Sequence, residues 1–201
     1  CSLLTQFPEG ALRLEIGIQT FNAETARQID RISDPEKELE TLRFLREQTK
    51  AIVHADLIAG LPGEDAASFA AGFNRLWAER PGEIQLGLLK RLPGTALAER
   101  EDGAVYMAEP PYEVLETPVL SRTELDRIKN FARFWELIVN RGHFEEVLPH
   151  ILPEPTRAWE DFMRLSQWLL EKFGQNWGIP RDNLRSALTS FTNLSPKKKI
   201  T

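Results

Sequence analysis

The stretch that most constrains this chain is Ile52-Val-His-Ala-Asp-Leu-Ile-Ala-Gly-Leu-Pro-Gly-Glu-Asp65. It opens as a short apolar run with a β-branched start, of strand length rather than helix length. The run stops at Gly60, and Pro62-Gly63 imposes a turn. Glu64, Asp65 and Ser68 then offer a cap and first-turn acids for a helix. In α/β folds, ligands sit beyond the carboxyl ends of strands that lead into such turns. Within the strand stands Asp56, a charge where burial is expected. An unpaired buried carboxylate is costly, so Asp56 needs a partner: a ligand, His54 or an arginine.

Two further strands flank this one in sequence. Ala11 to Thr20 alternates, with Leu14, Ile16 and Ile18 on one face and Glu15, Gly17 and Gln19 on the other. Glu83 to Leu89 places Ile84, Leu86 and Leu88 against Glu83, Gln85 and Gly87. In the central strand His54, Asp56 and Ile58 oppose Val53, Ala55, Leu57 and Ala59. Asn22 caps a short helix over 23–32, and Ser33-Asp34-Pro35 starts another, with Pro35 at its first position. A third helix over 66–80 carries Phe69, Phe73, Leu76 and Trp77 at helical spacing. The order β-α-β-α-β with right-handed crossovers makes the strands parallel neighbours. A packed barrel core would turn bulky branched residues inward. Here Glu15, Gln19, His54, Asp56 and Gln85 form the inner wall, which suggests a lumen that holds something. Three strands cannot close a barrel, so half of that wall lies outside this chain.

The composition changes near Ser121. Residues 104–119 are proline-rich and irregular, with an extended segment near 112–115. Ser121-Arg-Thr-Glu124 is a capping box for a helix to about Arg141, with Leu125, Ile128, Phe131, Phe134, Trp135 and Ile138 on its buried face and Gly142 as its stop. Thr156 is a candidate cap for a helix ending at Gly174, and a last helix covers 180–191. Trp135, Trp159, Trp168 and Trp177 read as helix packing. The expected organisation is therefore an α/β part at 1–103, a linker at 104–120, a helical part at 121–194 and a tail at 195–201.

Charge and cysteine usage exclude several classes. The formal net charge of -5 argues against non-specific nucleic-acid binding. The single cysteine, Cys1, permits neither a disulfide framework nor a cysteine-based metal site; a reducing, cytoplasmic setting fits. No run reaches transmembrane length. His54, His143 and His150 lack a His-Glu-x-x-His arrangement, so a zinc hydrolase fits poorly. A chain that opens on Cys and the end of a helix reads as part of a longer protein.

Leu14-Glu-Ile-Gly-Ile-Gln-Thr-Phe-Asn22, then Arg31, then Asp56-Leu-Ile-Ala-Gly-Leu-Pro-Gly-Glu64, resemble the radical S-adenosylmethionine superfamily. The likeness is to its oxygen-independent coproporphyrinogen oxidase and cobalamin-associated branches. It spans about Leu12 to Thr95, and the Leu-Pro-Gly-Thr95 loop belongs to it. The two strand motifs in tandem make it specific. The resemblance implies an α/β fold, the C-terminal half of a partial (β/α)6 TIM-like barrel, here followed by an all-helical extension.

It also implies site residues. Gln19 and Asp56 match positions that hydrogen-bond ribose hydroxyls, and both side chains can accept from them. Arg31 matches the position that pairs with the methionine carboxylate in a bidentate fork. Ile58 matches an apolar contact to adenine. Gly60 permits close backbone approach. Lys90 lies where backbone atoms meet the adenine edge. The family's usual glutamate in this turn falls on Gly63, with Glu64 adjacent but not equivalent. The implied cofactors are S-adenosylmethionine, a [4Fe–4S] cluster whose Cys-x-x-x-Cys-x-x-Cys ligands lie outside this chain, and cobalamin on a separate domain. The intact enzyme would generate a 5′-deoxyadenosyl radical that takes hydrogen from a small-molecule substrate, while this chain alone would be inert. The competing expectation is a non-catalytic docking scaffold on a barrel remnant. An exposed strand edge points to self-association in either case.

Overall fold

The structure is a computed structural model that describes residues 3–32, 34–99 and 101–194. Cys1, Ser33 and the expected tail at 195–201 lie outside the described residues. Three parallel strands form one sheet in the order β1 (Arg13–Gln19), β2 (Ile52–Ala59), β3 (Glu83–Leu88). Between them run α1 (Ala23–Gln28), α2 (Pro35–Gln48) and α3 (Ala66–Ala78). The caps are those the sequence offers. Asn22 accepts from the N–H groups of Glu24 and Thr25, Asp34 from Lys37 and Asp65 from Ser68. Pro35 occupies the first turn of α2, where its missing N–H costs nothing.

The apolar faces of the strands pack as their alternation requires. Ile18, Val53, Ala55, Leu57, Ala59 and Ile84 are buried against the helices, together with Leu39, Leu42 and Leu45 from α2 and Phe69, Phe73 and Leu76 from α3. The opposite face of the sheet carries the polar residues.

The segment expected as a linker is structured. β4 (Val105–Tyr106) and β5 (Val114–Glu116) pair antiparallel, and Val114 and Leu120 are buried in the common core. This pairing depends on partners eight or more residues apart, so no local period announces it. Ser121 and Glu124 close the expected capping box on α4 (Arg122–Trp135), which runs on as a π-helical turn over Glu136–Asn140. Gly142 follows with φ +64. Next come α5 (Leu148–Ile151), α6 (Ala158–Phe173) and α7 (Arg181–Leu194). Thr156 does not cap α6. A 3₁₀ turn over Pro155–Arg157 precedes that helix, and its first turn is met instead from α3, where Asn74 Oδ1 accepts from Trp159 N–H at 2.7 Å. Gly174, at φ +67, ends α6.

One aromatic cluster joins the two halves. Phe73 of α3 meets Phe131 and Trp135 of α4 edge-on at 5.1 and 4.8 Å and Trp159 of α6 at 5.4 Å, while Phe131 stacks on Trp159 at 4.3 Å. Trp177 does not share in this packing. It is 65% exposed in the turn between α6 and α7. None of the described helices is long and apolar enough to cross a membrane.

The two edges of the sheet differ. Leu89 donates to Ala59 across β2–β3, so by alternation the N–H and C=O of Ile84 face outward. The Asn140 amide meets both: Oδ1 accepts from Ile84 N–H at 3.3 Å, and Nδ2 donates to Ile84 C=O at 3.0 Å. A side-chain amide thus occupies the place of a neighbouring strand. At the other edge, Ile52 donates to Leu12, so the backbone groups of Arg13, Glu15 and Gly17 turn away from β2. Among the described residues no strand pairs with β1 on that side.

Candidate cofactor-binding face

The sheet register stacks the polar residues in layers. Glu15, His54 and Glu83 are aligned across the three strands, as are Gly17, Asp56 and Gln85 in the next layer. His54 Nδ1 lies 3.3 Å from Gln85 Nε2 and 3.4 Å from a Glu83 carboxylate oxygen. The pKa of Asp56 is raised to about 6, first by burial, then by the neighbouring Glu15 carboxyl, with His54 acting in the opposite sense. Asp56 Oδ1 and His54 Nε2 are buried with no hydrogen-bond partner. Asp56 thus faces a carboxyl and an imidazole rather than an arginine, and one of its oxygens is open to a donor.

The end of β1 departs from regular strand geometry. The register slips between Gly17 and Gln19. Gln19 has φ +66, and Thr20 N–H donates back to Ile18 C=O at 2.8 Å, which makes a tight three-residue turn centred on Gln19. This turn decides where the Gln19 amide points. Its Nε2 lies 4.0 Å from the place a Cβ on Gly17 would occupy, on the face that carries Asp56. A Cβ at residue 17 would meet that amide at ordinary van der Waals distance. Gln19 and Asp56 therefore share one face across adjacent strands.

The remaining sequence candidates are placed as follows. Arg31, just beyond α1, donates to the Gly17 carbonyl on the open edge of β1 and lies 3.5 Å from Glu38. It lines a cleft of about 310 Å³ with Thr20, Asn22 and Pro35. Ile58 lies on the polar face, opposite Gly87 and partly buried. Lys90 forms an isolated bridge to Glu113, in which Arg91 N–H reaches Tyr112 and Val114 N–H reaches Leu89. That pattern turns the N–H and C=O of Lys90 itself away from Glu113. Gly60 has a different occupant from the one its motif implies. At φ +86 a Cβ there would lie 2.6 Å from Val114 Cγ1, so the space it leaves is filled by the chain's own β5. The approach is not visible from sequence because Val114 lies within the irregular segment, far along the chain from Gly60.

One residue gains weight from the structure. Glu64 is 2% exposed, and its Oε1 accepts from Thr20 Oγ at 2.6 Å and from Ser68 Oγ at 3.4 Å. Burial raises its pKa, and these hydroxyls oppose the shift. Its sequence signals are an acid after Pro-Gly, which reads equally well as a first-turn helix residue, and its place beside Gly63, where the resemblance expects a glutamate. Among the described residues no group of three or more His, Cys, Asp or Glu side chains could hold a metal ion.

Residues 100–200 match the model of a family described as a protein of unknown function, DUF4080. The chain belongs to the DUF4080 family. This DUF4080 member is 30% identical over 118 residues to the oxygen-independent coproporphyrinogen III oxidase of Salmonella typhimurium, a match that covers 58% of this chain and 26% of that protein. It is 38% identical over 60 residues to the anaerobilin synthase of Escherichia coli O157:H7, covering 30% and 14% respectively. The solved coproporphyrinogen III oxidase of Escherichia coli, a radical SAM enzyme, aligns with 64% of this chain and 27% of its own at 27% identity and a TM-score of 0.46. The DUF4080 chain thus spans about a quarter of the length of the first curated relative it matches. The likeness read from the strand motifs to the oxygen-independent coproporphyrinogen oxidase branch of the radical S-adenosylmethionine superfamily is borne out by the Salmonella relative.

Proposed function

We propose that this chain supplies the S-adenosylmethionine-binding strands of a radical S-adenosylmethionine enzyme. The observation that carries the reading is the buried, unpartnered Oδ1 of Asp56 on the face that the Gln19 amide also shares. A buried acceptor without a donor is costly, and a ribose hydroxyl is a donor of the right kind. The vicinal hydroxyl would be met by Gln19, whose amide oxygen accepts as well.

The other contacts follow from position. Ile58, one step along the polar face from Asp56, gives an apolar surface for adenine. The outward N–H and C=O of Lys90 suit the adenine edge. Arg31 would exchange Glu38 for the methionine carboxylate, a geometry its planar fork favours. Gly60 has no part in this set, since Val114 fills the space beside it. The residues therefore fit S-adenosylmethionine. They do not fit a [4Fe–4S] cluster, for which the described residues offer no thiolate. When bound, the cofactors supply one-electron chemistry that ends in hydrogen abstraction from a substrate. The part of this chain is to orient the nucleoside and exclude water from it. The reading does not extend to cobalamin, which the relatives' names do not mention.

The test is anaerobic reconstitution of the full-length protein with iron and sulfide, followed by assay for 5′-deoxyadenosine. Release is expected from the full-length protein and none from residues 1–201 alone. No release from a protein shown to carry its cluster would leave the scaffold as the better account.

A further inference from the structure

We infer that Glu64 is a positioning residue that holds Gln19 in the backbone turn from which its amide reaches the ligand face. The inference rests on the S-adenosylmethionine reading and adds a residue to it. Gln19 is a non-glycine residue at φ +66, at the centre of a turn closed by Thr20 N–H on Ile18 C=O. Such a conformation costs about 1–3 kcal/mol and persists only where its surroundings impose it. Without that turn β1 would continue in register, and the amide would not fold back over Gly17.

The restraint lies on the C-terminal side of Gln19. Thr20 is 2% exposed and its hydroxyl is used twice. It accepts from Asn22 N–H at 2.9 Å and donates to Glu64 Oε1 at 2.6 Å. Glu64 comes from the turn after β2, 44 residues away, where Glu64 N–H is tied to Leu61 C=O at 3.2 Å. A second bond runs in parallel, from Asn22 Nδ2 to Ser68 Oγ at 3.0 Å. The turn that presents Gln19 is thus clamped to the turn that follows Asp56. Burying a carboxylate to make this bond is expensive, and a loop with no geometric task would not need it.

The experiment measures the dissociation constant for S-adenosylmethionine in the full-length, reconstituted protein for Glu64→Ala, Gln19→Ala and the double variant. Glu64→Gln retains an acceptor for Thr20 and should stay within about threefold of the unaltered protein. Glu64→Ala should weaken binding about tenfold. In the Gln19→Ala background the same change should cost less than about twofold, because coupled residues are non-additive. A merely structural role predicts equal losses in both backgrounds, and that result overturns the inference, as does an unaltered dissociation constant in Glu64→Ala. If Glu64→Ala does not fold, Thr20→Val removes the same bond from the other side and is read by the same criteria. Loss of affinity in Gln19→Ala without coupling to Glu64 sinks only the positioning role. Failure of the unaltered protein to bind S-adenosylmethionine sinks the underlying reading and this inference with it.

Discussion

Asp56 has the environment of an acid that holds its proton above the ordinary carboxyl range. Burial acts first and the Glu15 carboxyl second, and together they raise its pKa from 3.8 to about 6. A raised carboxyl pKa means that the native state binds the proton more tightly than the unfolded chain does. Asp56 therefore contributes stability below about pH 4 and loses it as pH rises through about 6. Glu64 shifts in the same direction, so the contribution of Asp56 is read as a difference. The urea midpoint of the unaltered chain should fall from pH 4 to pH 7 more than that of Asp56→Asn. Equal slopes would show that Asp56 titrates as an ordinary exposed acid. Binding has the opposite sign. A ribose hydroxyl donates best to the ionised carboxylate, so affinity for S-adenosylmethionine should rise between pH 5 and 7. Asp56→Asn should lose about tenfold in affinity, on the order of one charge-assisted hydrogen bond, and an unchanged affinity would remove Asp56 from the site. At this scale the sequence was informative where chemistry follows the strand period. Alternation alone put Glu15, His54 and Asp56 on one face. It could not show that Glu64 reaches Thr20, because that contact is set by how two separate turns approach each other.

The elements themselves were legible for the same reason. Three period-two runs became three parallel strands, and Asn22, Asp34, Asp65 and Ser121 cap the helices their positions announce. Caps are local, and each needs only a side chain within three residues of the N–H it meets. Where an element depends on distant partners the sequence was silent: the β4–β5 pair, the 3₁₀ entry to α6 and the π-helical turn at Glu136–Asn140. That turn is the one element whose irregularity has a visible consequence, since it delivers Asn140 to the edge of β3. Asn140→Ala would leave the N–H and C=O of Ile84, a residue 2% exposed, without partners. The expected loss is about 1–3 kcal/mol in urea unfolding. Asn140→Asp keeps the acceptor for Ile84 N–H and loses the donor to Ile84 C=O, so it should fall between the two. A change under roughly 0.5 kcal/mol in Asn140→Ala, the level of an ordinary surface substitution, would show that water replaces the amide.

Across the whole molecule, the sheet has one closed edge and one open edge. The β3 edge is closed by the chain itself, through Asn140 and through the segment that bridges Lys90 to Glu113. The helical half is fused to the same side by the Phe73, Phe131, Trp135 and Trp159 cluster. The β1 edge presents the backbone groups of Arg13, Glu15 and Gly17, and Arg31 covers only the last carbonyl. Unpaired strand edges recruit further strands. In a longer protein that strand would come from the rest of the wall; for residues 1–201 alone it would come from a second copy. Sedimentation of this chain should therefore show mass rising with concentration. Arg13→Pro tests the route. Residue 13 opens the strand, where proline is tolerated, and its N–H is turned away from β2, so the internal ladder keeps its bonds while the outer edge loses its first donor. The variant should associate more weakly than the unaltered chain at equal stability. A single monomeric species for the unaltered chain at every concentration would mean that the edge is shielded, and the polar face beside it would then have to be complete with three strands rather than open for more.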